Sequence, residues 1–144
     1  MNDLVDEMVP LLRSEAHRFG VPIQTELDRG LPNVSADRVQ IQQVLMNLML
    51  NGIEAMSETR GPLVVTSRTN GHDVLISVSD SGVGLPKGAA DEIFQAFFTT
   101  KPQGTGMGLS ISRSIIESHG GRLWADANVN GGATFSFTLP AAAG

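Results

Sequence analysis

Residues 94–110, FQAFFTTKPQGTGMGLS, combine an aromatic cluster with glycines at every second position. Gly104, Gly106 and Gly108 have no Cβ, so the backbone there can adopt positive φ and bring its N–H groups close to a ligand. The next residues, 109–118, carry apolar side chains at helical spacing, and the unpaired N–H groups of a helix N-terminus favour anions. The pattern is typical of a phosphate-binding loop that leads into a helix, although glycine spacing alone is weak evidence for a ligand.

The composition limits the class of protein. With 144 residues, 41% of them apolar, the chain has the size of one domain with a single buried core. No apolar run reaches the roughly 18 residues of a membrane span, and the acidic N-terminus is unlike a signal peptide. The chain has no cysteine, and its three histidines are far apart in sequence, which disfavours a metal cluster. A net charge of -5 argues against a nucleic-acid surface, so a polyphosphate would be bound by backbone N–H groups, one or two basic side chains and a metal ion.

The spacing of apolar residues predicts three helices. The first covers 3–19 and is expected to bend or divide at Pro10, the second covers 37–56, and the third covers 109–118. Their apolar faces are predicted to include Leu11, Val39 and Ile111. Alternating residues predict five strands, at 21–27, 63–69, 73–79, 121–127 and 133–139. The order of these elements predicts an α+β fold, in which one antiparallel-rich sheet carries the helices on one face.

Polar residues interrupt two of the predicted elements. Asn47 and Asn51 lie about one turn apart in the otherwise apolar second helix, where asparagine is an indifferent helix former. Asp80 follows a strand and is itself followed by a glycine turn. The residues alone leave two interpretations open, either core-edge amides with a turn-forming aspartate or polar groups that face a ligand. No complete dinucleotide-binding or P-loop signature is present.

Four motifs occur in an order that resembles a known family. They are NLMLNGIEA at 47–55, DSGVG at 80–84, the aromatic residues Phe94, Phe97 and Phe98, and the glycines of 104–108. In this order they resemble the catalytic ATP-binding (HATPase) domain of bacterial two-component sensor histidine kinases. That domain has the GHKL or Bergerat fold, which is shared with DNA gyrase, Hsp90 and MutL. The run from 97 to 140 looks most similar to FixL-like, PAS-linked receptor kinases, and the resemblance covers essentially the whole chain.

The resemblance implies an architecture and a domain organisation. The expected fold is a two-layer α/β sandwich, with a mixed, mostly antiparallel five-stranded sheet, about three helices on one face and a mobile ATP lid at about 84–108. Residues 1–144 would form the catalytic and ATP-binding domain alone. The dimerisation domain with its phosphoacceptor histidine is expected to be absent, since His17, His72 and His119 do not lie in an acceptor motif.

The resemblance also implies roles for single residues around the base and the metal. Asn51 would ligate Mg²⁺ through its amide oxygen, because Mg²⁺ prefers oxygen donors and keeps several waters. Asp80 would accept a hydrogen bond from the exocyclic amine of adenine. Gly82 and Gly84 would let the backbone pass the base, and Thr134 would support adenine through water.

Further residues are expected at the phosphates. Lys101 resembles the lid lysine that reaches the terminal phosphates. The glycine-rich motif would contribute nucleotide-binding positions at Gly104, Thr105, Gly106, Met107, Gly108 and Leu109. Asn47 occupies the position at which gyrase-like relatives carry a general-base glutamate, and an amide cannot take up a proton. ATP hydrolysis by the isolated domain is therefore expected to be slow.

The activity expected from this resemblance is transfer of the γ-phosphoryl group of Mg-ATP to a histidine on a separate dimerisation domain, with a response regulator downstream. The isolated domain is expected to be monomeric and cytoplasmic, from a homodimeric parent that can be membrane-anchored. Two alternatives stay open at this point. One is a stand-alone serine kinase of the anti-sigma-factor type, and the other is a non-catalytic nucleotide-binding module.

Overall fold

The architecture is taken from a computed structural model, which describes residues 2–18, 20–28, 30–56, 61–82, 108–128 and 131–141. Within these ranges the chain forms three helices and five strands. In chain order they are α1 (Asn2–Arg18), β1 (Ile23–Leu27), α2 (Arg38–Ala55), β2 (Leu63–Asn70), β3 (Asp73–Ser79), α3 (Gly108–Ser118), β4 (Arg122–Ala127) and β5 (Ala133–Pro140).

The five strands form one sheet in the order β1-β2-β3-β5-β4. β1 pairs with β2 in parallel, and the other three pairs are antiparallel. Parallel neighbours need a long crossover connection, and α2 lies within the connection between β1 and β2. The predicted α+β class, with a mixed and mostly antiparallel sheet, is confirmed.

The two faces of the sheet differ in chemistry. On β3 and β5 the residues that face the helices are apolar and buried, and they are Val74, Ile76, Val78, Phe135, Phe137 and Leu139. They form one core together with side chains of all three helices. The residues between them point to the other face, where Ser77 Oγ lies 2.9 Å from Ser136 Oγ. Alternate residues of a strand point to opposite faces, so one face of the sheet is apolar and the other polar. The helices cover the apolar face, which gives two layers, one of sheet and one of helices.

The helix α1 is continuous through Pro10. Of the two predicted effects of this proline, a bend or a division of the helix, the division is therefore wrong. An interior proline removes one backbone hydrogen bond and costs about 3 kcal/mol. Val5 and Met8 before Pro10, and Leu12 and Ala16 after it, are all buried in the core. Each large apolar side chain contributes about 1.5–3 kcal/mol by burial, so packing on both sides of the proline outweighs its cost.

Three side chains that were assigned to apolar helix faces are exposed. Leu11 is 66% exposed, Val39 71% and Ile111 39%. A nearby residue is buried instead; on α1, for example, Leu12 is buried beside the exposed Leu11. On α2, Met49 is buried, although it was not predicted to be. Spacing alone does not decide whether an apolar residue at the edge of a helix's apolar face is buried or exposed, because successive residues are only about 100° apart around the helix axis.

The element boundaries differ slightly from those predicted. α2 begins after Asp37, whose carboxylate caps the helix by accepting a hydrogen bond from the Gln40 N–H at 3.0 Å. β1 begins two residues later than expected, although the Pro22 carbonyl already accepts from the Leu63 N–H at 2.9 Å. Among the described residues, no helix is long and apolar enough to cross a bilayer.

Candidate nucleotide site

The helix α2 and the end of β3 meet at Gly52 and Asp80. A Cβ built on Gly52 would lie 2.5 Å from Leu63 Cδ1 and 3.8 Å from Asp80 Oδ2. The glycine therefore lets α2 approach β2 closely and leaves space beside the carboxylate. Asn51, the preceding residue on α2, is half-buried. The amide predicted to bind the metal and the acid predicted to read the base thus lie on two elements that converge.

Asp80 is built into the end of β3 and is only 4% exposed. Its backbone N–H donates to the Ala133 carbonyl at 2.9 Å, and its carboxylate Oδ1 accepts from the N–H groups of Gly82, at 2.9 Å, and Ala133, at 3.2 Å. The contact with Gly82 is the local turn that an aspartate commonly forms. Backbone donors therefore fix one carboxylate oxygen, and the other faces α2 at Gly52.

Thr134 lies on the opposite face of the sheet from the Asp80 side chain. It pairs with Ser79 across the strands, and its hydroxyl lies 3.0 Å from Ser79 Oγ. The same hydroxyl donates to Asn128 Oδ1 at 2.6 Å. The side chain at position 133, an alanine, shares the face of Asp80. The described geometry therefore places the Thr134 side chain on the sheet face opposite to the Asp80 side chain. Its water-mediated contact with adenine stays a prediction.

Asn128 connects the turn between β4 and β5 to the end of β3. Its amide nitrogen donates to the backbone carbonyl of Asp80 at 2.8 Å and to Ser79 Oγ at 3.2 Å. The turn packs closely here, because Gly132 has a φ of 90° and a Cβ at that position would overlap the Asp80 carbonyl oxygen. Asp80, the residue predicted to contact the base, is therefore held by a turn that lies about 50 residues later in the sequence.

The two asparagines of α2 have different surroundings. Asn47 donates from Nδ2 to Ser112 Oγ at 3.1 Å, and Ser112 is fully buried on α3. This contact joins α2 to α3. α3 begins at Gly108, and its half-buried Leu109 packs against the hydrophobic core.

Both ends of α2 are attached to other elements. The Asp37 N–H donates to His119 Nε2 at 3.1 Å, and His119 Nδ1 lies 2.8 Å from the Ile115 carbonyl. Because a carbonyl only accepts, Nδ1 carries the proton and Nε2 is the acceptor. At the other end, Met56 Sδ accepts from the Ser81 N–H at 3.3 Å. The helix that carries both asparagines is therefore held at its start by His119, directly after α3, and at its end by the turn after β3.

The described residues contain no group of three or more histidine, cysteine or acidic side chains placed to hold a metal ion. A divalent ion near Asn51 would rely on the amide oxygen, phosphate oxygens and water. This donor set consists of oxygens, as Mg²⁺ prefers. Glu54, one turn further along α2, is exposed.

Several predicted site residues lie outside the described ranges. They are Gly84, Phe94, Phe97, Phe98, Lys101, Gly104, Thr105, Gly106 and Met107. The predicted lid at about 84–108 falls on the same segment. Of the predicted nucleotide-binding residues, Gly82 contacts Asp80 directly, Asn51 precedes the Gly52 that packs beside Asp80, and Gly108 and Leu109 form the start of α3.

Sequence reasoning missed three residues around Asp80. Gly52 carries a signal, because glycine in a helix interior costs about 1 kcal/mol relative to alanine and so needs a packing reason. Gly132 follows an Asn-Gly turn, and a second glycine there indicates close backbone approach. Asn128 has no such signal, because asparagine is common in any loop between strands.

Comparison with known proteins agrees with the family that the sequence motifs resemble. The family model described as histidine kinase-, DNA gyrase B-, and HSP90-like ATPase matches residues 36–143. The sensor protein FixL of Bradyrhizobium diazoefficiens is 51% identical over 144 residues, which cover 99% of this chain and 28% of FixL. The chain therefore spans less than a third of the length of this curated relative.

Solved structures extend this likeness to the fold. The nucleotide-free catalytic domain of the histidine kinase ThkA has a TM-score of 0.88 and 41% identity, covering 98% of this chain and 92% of that one. ThkA in complex with the response regulator TrrA gives a TM-score of 0.84 at 37% identity, covering 99% and 40%. Full-length ShkA in complex with AMPPNP gives 0.87 at 28% identity, covering 99% and 30%. The chain belongs to the histidine kinase-, DNA gyrase B-, and HSP90-like ATPase family, and its relatives within it are sensor histidine kinases.

Proposed function

We propose that this chain binds Mg-ATP and transfers the γ-phosphoryl group to a histidine on a separate helical dimerisation domain. The observation that carries the proposal is the buried Asp80, whose carboxylate is fixed through Oδ1 by backbone donors at the end of β3 and faces Gly52 of α2 through Oδ2. Family membership adds ATP as the nucleotide.

Asp80 supplies selectivity for adenine. A carboxylate oxygen in a buried site accepts a hydrogen bond from the exocyclic amine of adenine, whereas guanine presents a carbonyl oxygen at the matching position. Two facing acceptors leave a buried polar group unpaired, which is strongly unfavourable. Gly82 contributes by giving its N–H to Asp80 Oδ1, which holds the carboxylate in place.

Asn51 would hold Mg²⁺ through its amide oxygen, and the bound ion would neutralise charge on the phosphates. Phosphoryl transfer needs little covalent chemistry from the protein, because it depends mainly on alignment and charge neutralisation. Lys101 and the backbone N–H groups of 104–109 are proposed to contact the phosphates, as part of a lid at about 84–108.

Asn47 favours transfer over hydrolysis. Its amide has no basic site, so it cannot remove a proton from water, and it donates to Ser112. ATP would then persist in the site until an acceptor imidazole arrives. This difference separates the proposed kinase from gyrase-like members of the fold, which have a glutamate at the same position.

The partners follow from the relatives. ThkA has been solved in complex with the response regulator TrrA, and this supports a response regulator as the downstream partner here. The parent protein is proposed to be a homodimer whose dimerisation domain lies outside residues 1–144. We propose a cytoplasmic location for this domain, as expected from the sequence.

Phosphotransfer is the direct test. The chain is mixed with Mg²⁺, γ-labelled ATP and a histidine-bearing dimerisation domain of a FixL-like kinase, and the same domain with its histidine changed to glutamine serves as control. We expect an acid-labile, base-stable phosphate on the unaltered domain only. Acid-stable phosphoserine on a partner protein would indicate the serine kinase instead, and ATP binding without any transfer would indicate a non-catalytic module.

Two variants test the site itself. Asp80→Asn is expected to weaken ATP at least tenfold in a nucleotide-displacement titration, because the amide can present a donor where the adenine amine needs an acceptor. Unchanged affinity would remove Asp80 from the base site. Asn51→Ala is expected to abolish the Mg²⁺-dependent tightening of ATP, and a full response to Mg²⁺ in that variant would place the metal elsewhere.

A further inference from the structure

We infer that Asn128 is a positioning residue for adenine recognition, which acts by fixing the Asp80 peptide from the face of the sheet opposite to α2. The inference rests on the proposed function, since it assumes that Asp80 reads the base. Asn128 does not reach the space between Asp80 and Gly52, so it acts through Asp80 rather than on the nucleotide.

The orientation of the Asn128 amide is determined by its partners. The Asp80 carbonyl, 2.8 Å from Nδ2, can only accept a hydrogen bond, so the amide nitrogen must be the atom that faces it. The oxygen, Oδ1, then faces Thr134 Oγ1 at 2.6 Å and accepts its proton. Because each group has a partner of the right kind, no other rotamer of the amide serves both contacts.

Two hydroxyl groups, those of Thr134 and Ser79, form hydrogen bonds with the Asn128 amide. Thr134 has one hydroxyl proton, and the amide oxygen at 2.6 Å takes it. The same Thr134 hydroxyl also lies 3.0 Å from Ser79 Oγ, which is its second and longer contact as a donor. Asn128 Nδ2 in turn donates to Ser79 Oγ at 3.2 Å. The three side chains therefore close a ring of hydrogen bonds, and the second Nδ2 proton goes to the Asp80 carbonyl.

This ring fixes the last peptide of the strand. Asp80 is held through its N–H by the Ala133 carbonyl, through its own carbonyl by Asn128 and through Oδ1 by two backbone N–H groups. β3 ends at Ser79, so beyond that residue the strand ladder no longer restrains the Asp80 carbonyl. The N–H of the same peptide, on Ser81, donates to Met56 Sδ at 3.3 Å. Loss of the Asn128 amide would leave the carbonyl side of this peptide without its hydrogen bond, so the Asp80 carboxylate would be held less precisely relative to α2.

The test measures ATP and inosine triphosphate affinities of the 144-residue chain. Inosine carries a carbonyl where adenosine carries the amine, so the ratio of the two dissociation constants reports base reading. Asn128→Ala is expected to weaken ATP about tenfold, with a much smaller change for inosine triphosphate. Thr134→Val, which removes one side of the ring, should weaken ATP about two- to threefold. Ser77→Ala is the matched control on the same strand and face as Ser79, and both affinities should stay unchanged.

A double-mutant cycle distinguishes positioning from a general structural effect. If Asn128 acts through Asp80, Asn128→Ala should cause little further loss of ATP affinity in a chain that already carries Asp80→Asn. The same fold loss in both backgrounds, or an unchanged ratio of ATP to inosine triphosphate affinity, would overturn the inference. If Asp80→Asn alone left ATP affinity unchanged, the base site itself would be wrong, whereas a loss for Asp80→Asn with none for Asn128→Ala would refute only the role of Asn128.

Folding is checked separately. Asn128→Asp keeps the size of the side chain and its acceptor for Thr134 but removes both Nδ2 donors. It is expected to reproduce the loss of selectivity seen for Asn128→Ala while its far-ultraviolet circular dichroism stays that of the unaltered chain. Asn128→Asp with full ATP selectivity and a native spectrum would show that the two donors are not needed, and would contradict the inference.

Discussion

The two hairpin turns of the sheet share an Asn-Gly pair and lie at opposite ends of β3, yet their surroundings differ. A Cβ added at Gly71, in the turn between β2 and β3, would meet nothing within 4 Å. A Cβ added at Gly132, in the turn between β4 and β5, would lie 2.7 Å from the Asp80 carbonyl carbon and overlap its oxygen. The glycine of each Asn-Gly pair, Gly71 or Gly131, therefore stands in open space, and only the additional Gly132 packs its turn against the Asp80 peptide of the candidate site.

The largest effect in this comparison is expected for Gly132→Ala. The new methyl group would enter the Asp80 peptide, and the φ of 90° is strained for alanine, so we expect a loss of about 3 kcal/mol in the free energy of unfolding. ATP binding should be lost together with stability. Denaturant unfolding and a nucleotide titration measure the two effects, and a folded variant with unchanged ATP affinity would show that this turn does not shape the site.

A smaller and purely conformational effect is expected for Gly131→Ala and Gly71→Ala. Both residues have positive φ, 100° and 66°, but a Cβ at either position meets nothing within 4 Å. We expect each to cost about 1–2 kcal/mol of stability from backbone strain. ATP affinity of the folded protein should stay within about twofold of the unaltered chain. A selective loss of ATP affinity in Gly71→Ala would contradict the view that only the turn between β4 and β5 contributes to the site.

The smallest effect is expected at a position outside both turns. Arg38, at the start of α2, pairs with Asp3 and Glu7 on α1, and all three side chains are about half exposed or more. The hydrogen bond from Arg38 holds the pKa of Asp3 below its ordinary value of 3.8. An acid with a lowered pKa adds stability above its ordinary pKa and loses it as pH falls through the folded value.

Arg38→Gln should therefore lower stability only slightly at neutral pH, because exposed ion pairs contribute little. The difference from the unaltered chain should shrink as pH falls below 3.8 and also as salt is added. Unfolding titrations at several pH values and salt concentrations provide the measurement. A difference that grows in acid would show that Arg38 does not act through these carboxylates.

The sequence predicted the type and order of the elements because their signals are local. The alternation around Val74 to Val78 and the apolar face of α2 depend on residues that are close in the chain, and so does the Asn70-Gly71 turn. That hairpin is confirmed, although the pairing of Asn70 with Asp73 places Gly71 and His72 at its centre. Strand pairing is different, since the parallel contact of Ile23 with Leu63 joins residues 40 apart and has no local signal.

The candidate site likewise combines residues that local motifs predicted with contacts between distant residues that the sequence could not predict. Asp80 and Asn51 were predicted through motifs, and the structure brings their elements together at Gly52. The network of Ser79, Thr134 and Asn128 could not be predicted, because its members come from two strands and a turn that meet only in the folded sheet. The face of Thr134 follows from the register of β5 against β3, which spacing alone does not give.

The parallel pairing of β1 with β2 bears on the order of folding. The hairpins β2–β3 and β4–β5 each close a short loop, whereas β1 reaches β2 only across a connection that contains α2. Forming such a distant contact early carries a larger entropy cost, which is why non-local pairings slow folding. The hairpins and α2 should therefore form early in the folding transition state. The pairing of β1 with β2 should form late, as should the still more distant pairing of β3 with β5, so that substitutions in β1 accelerate unfolding more than they slow folding.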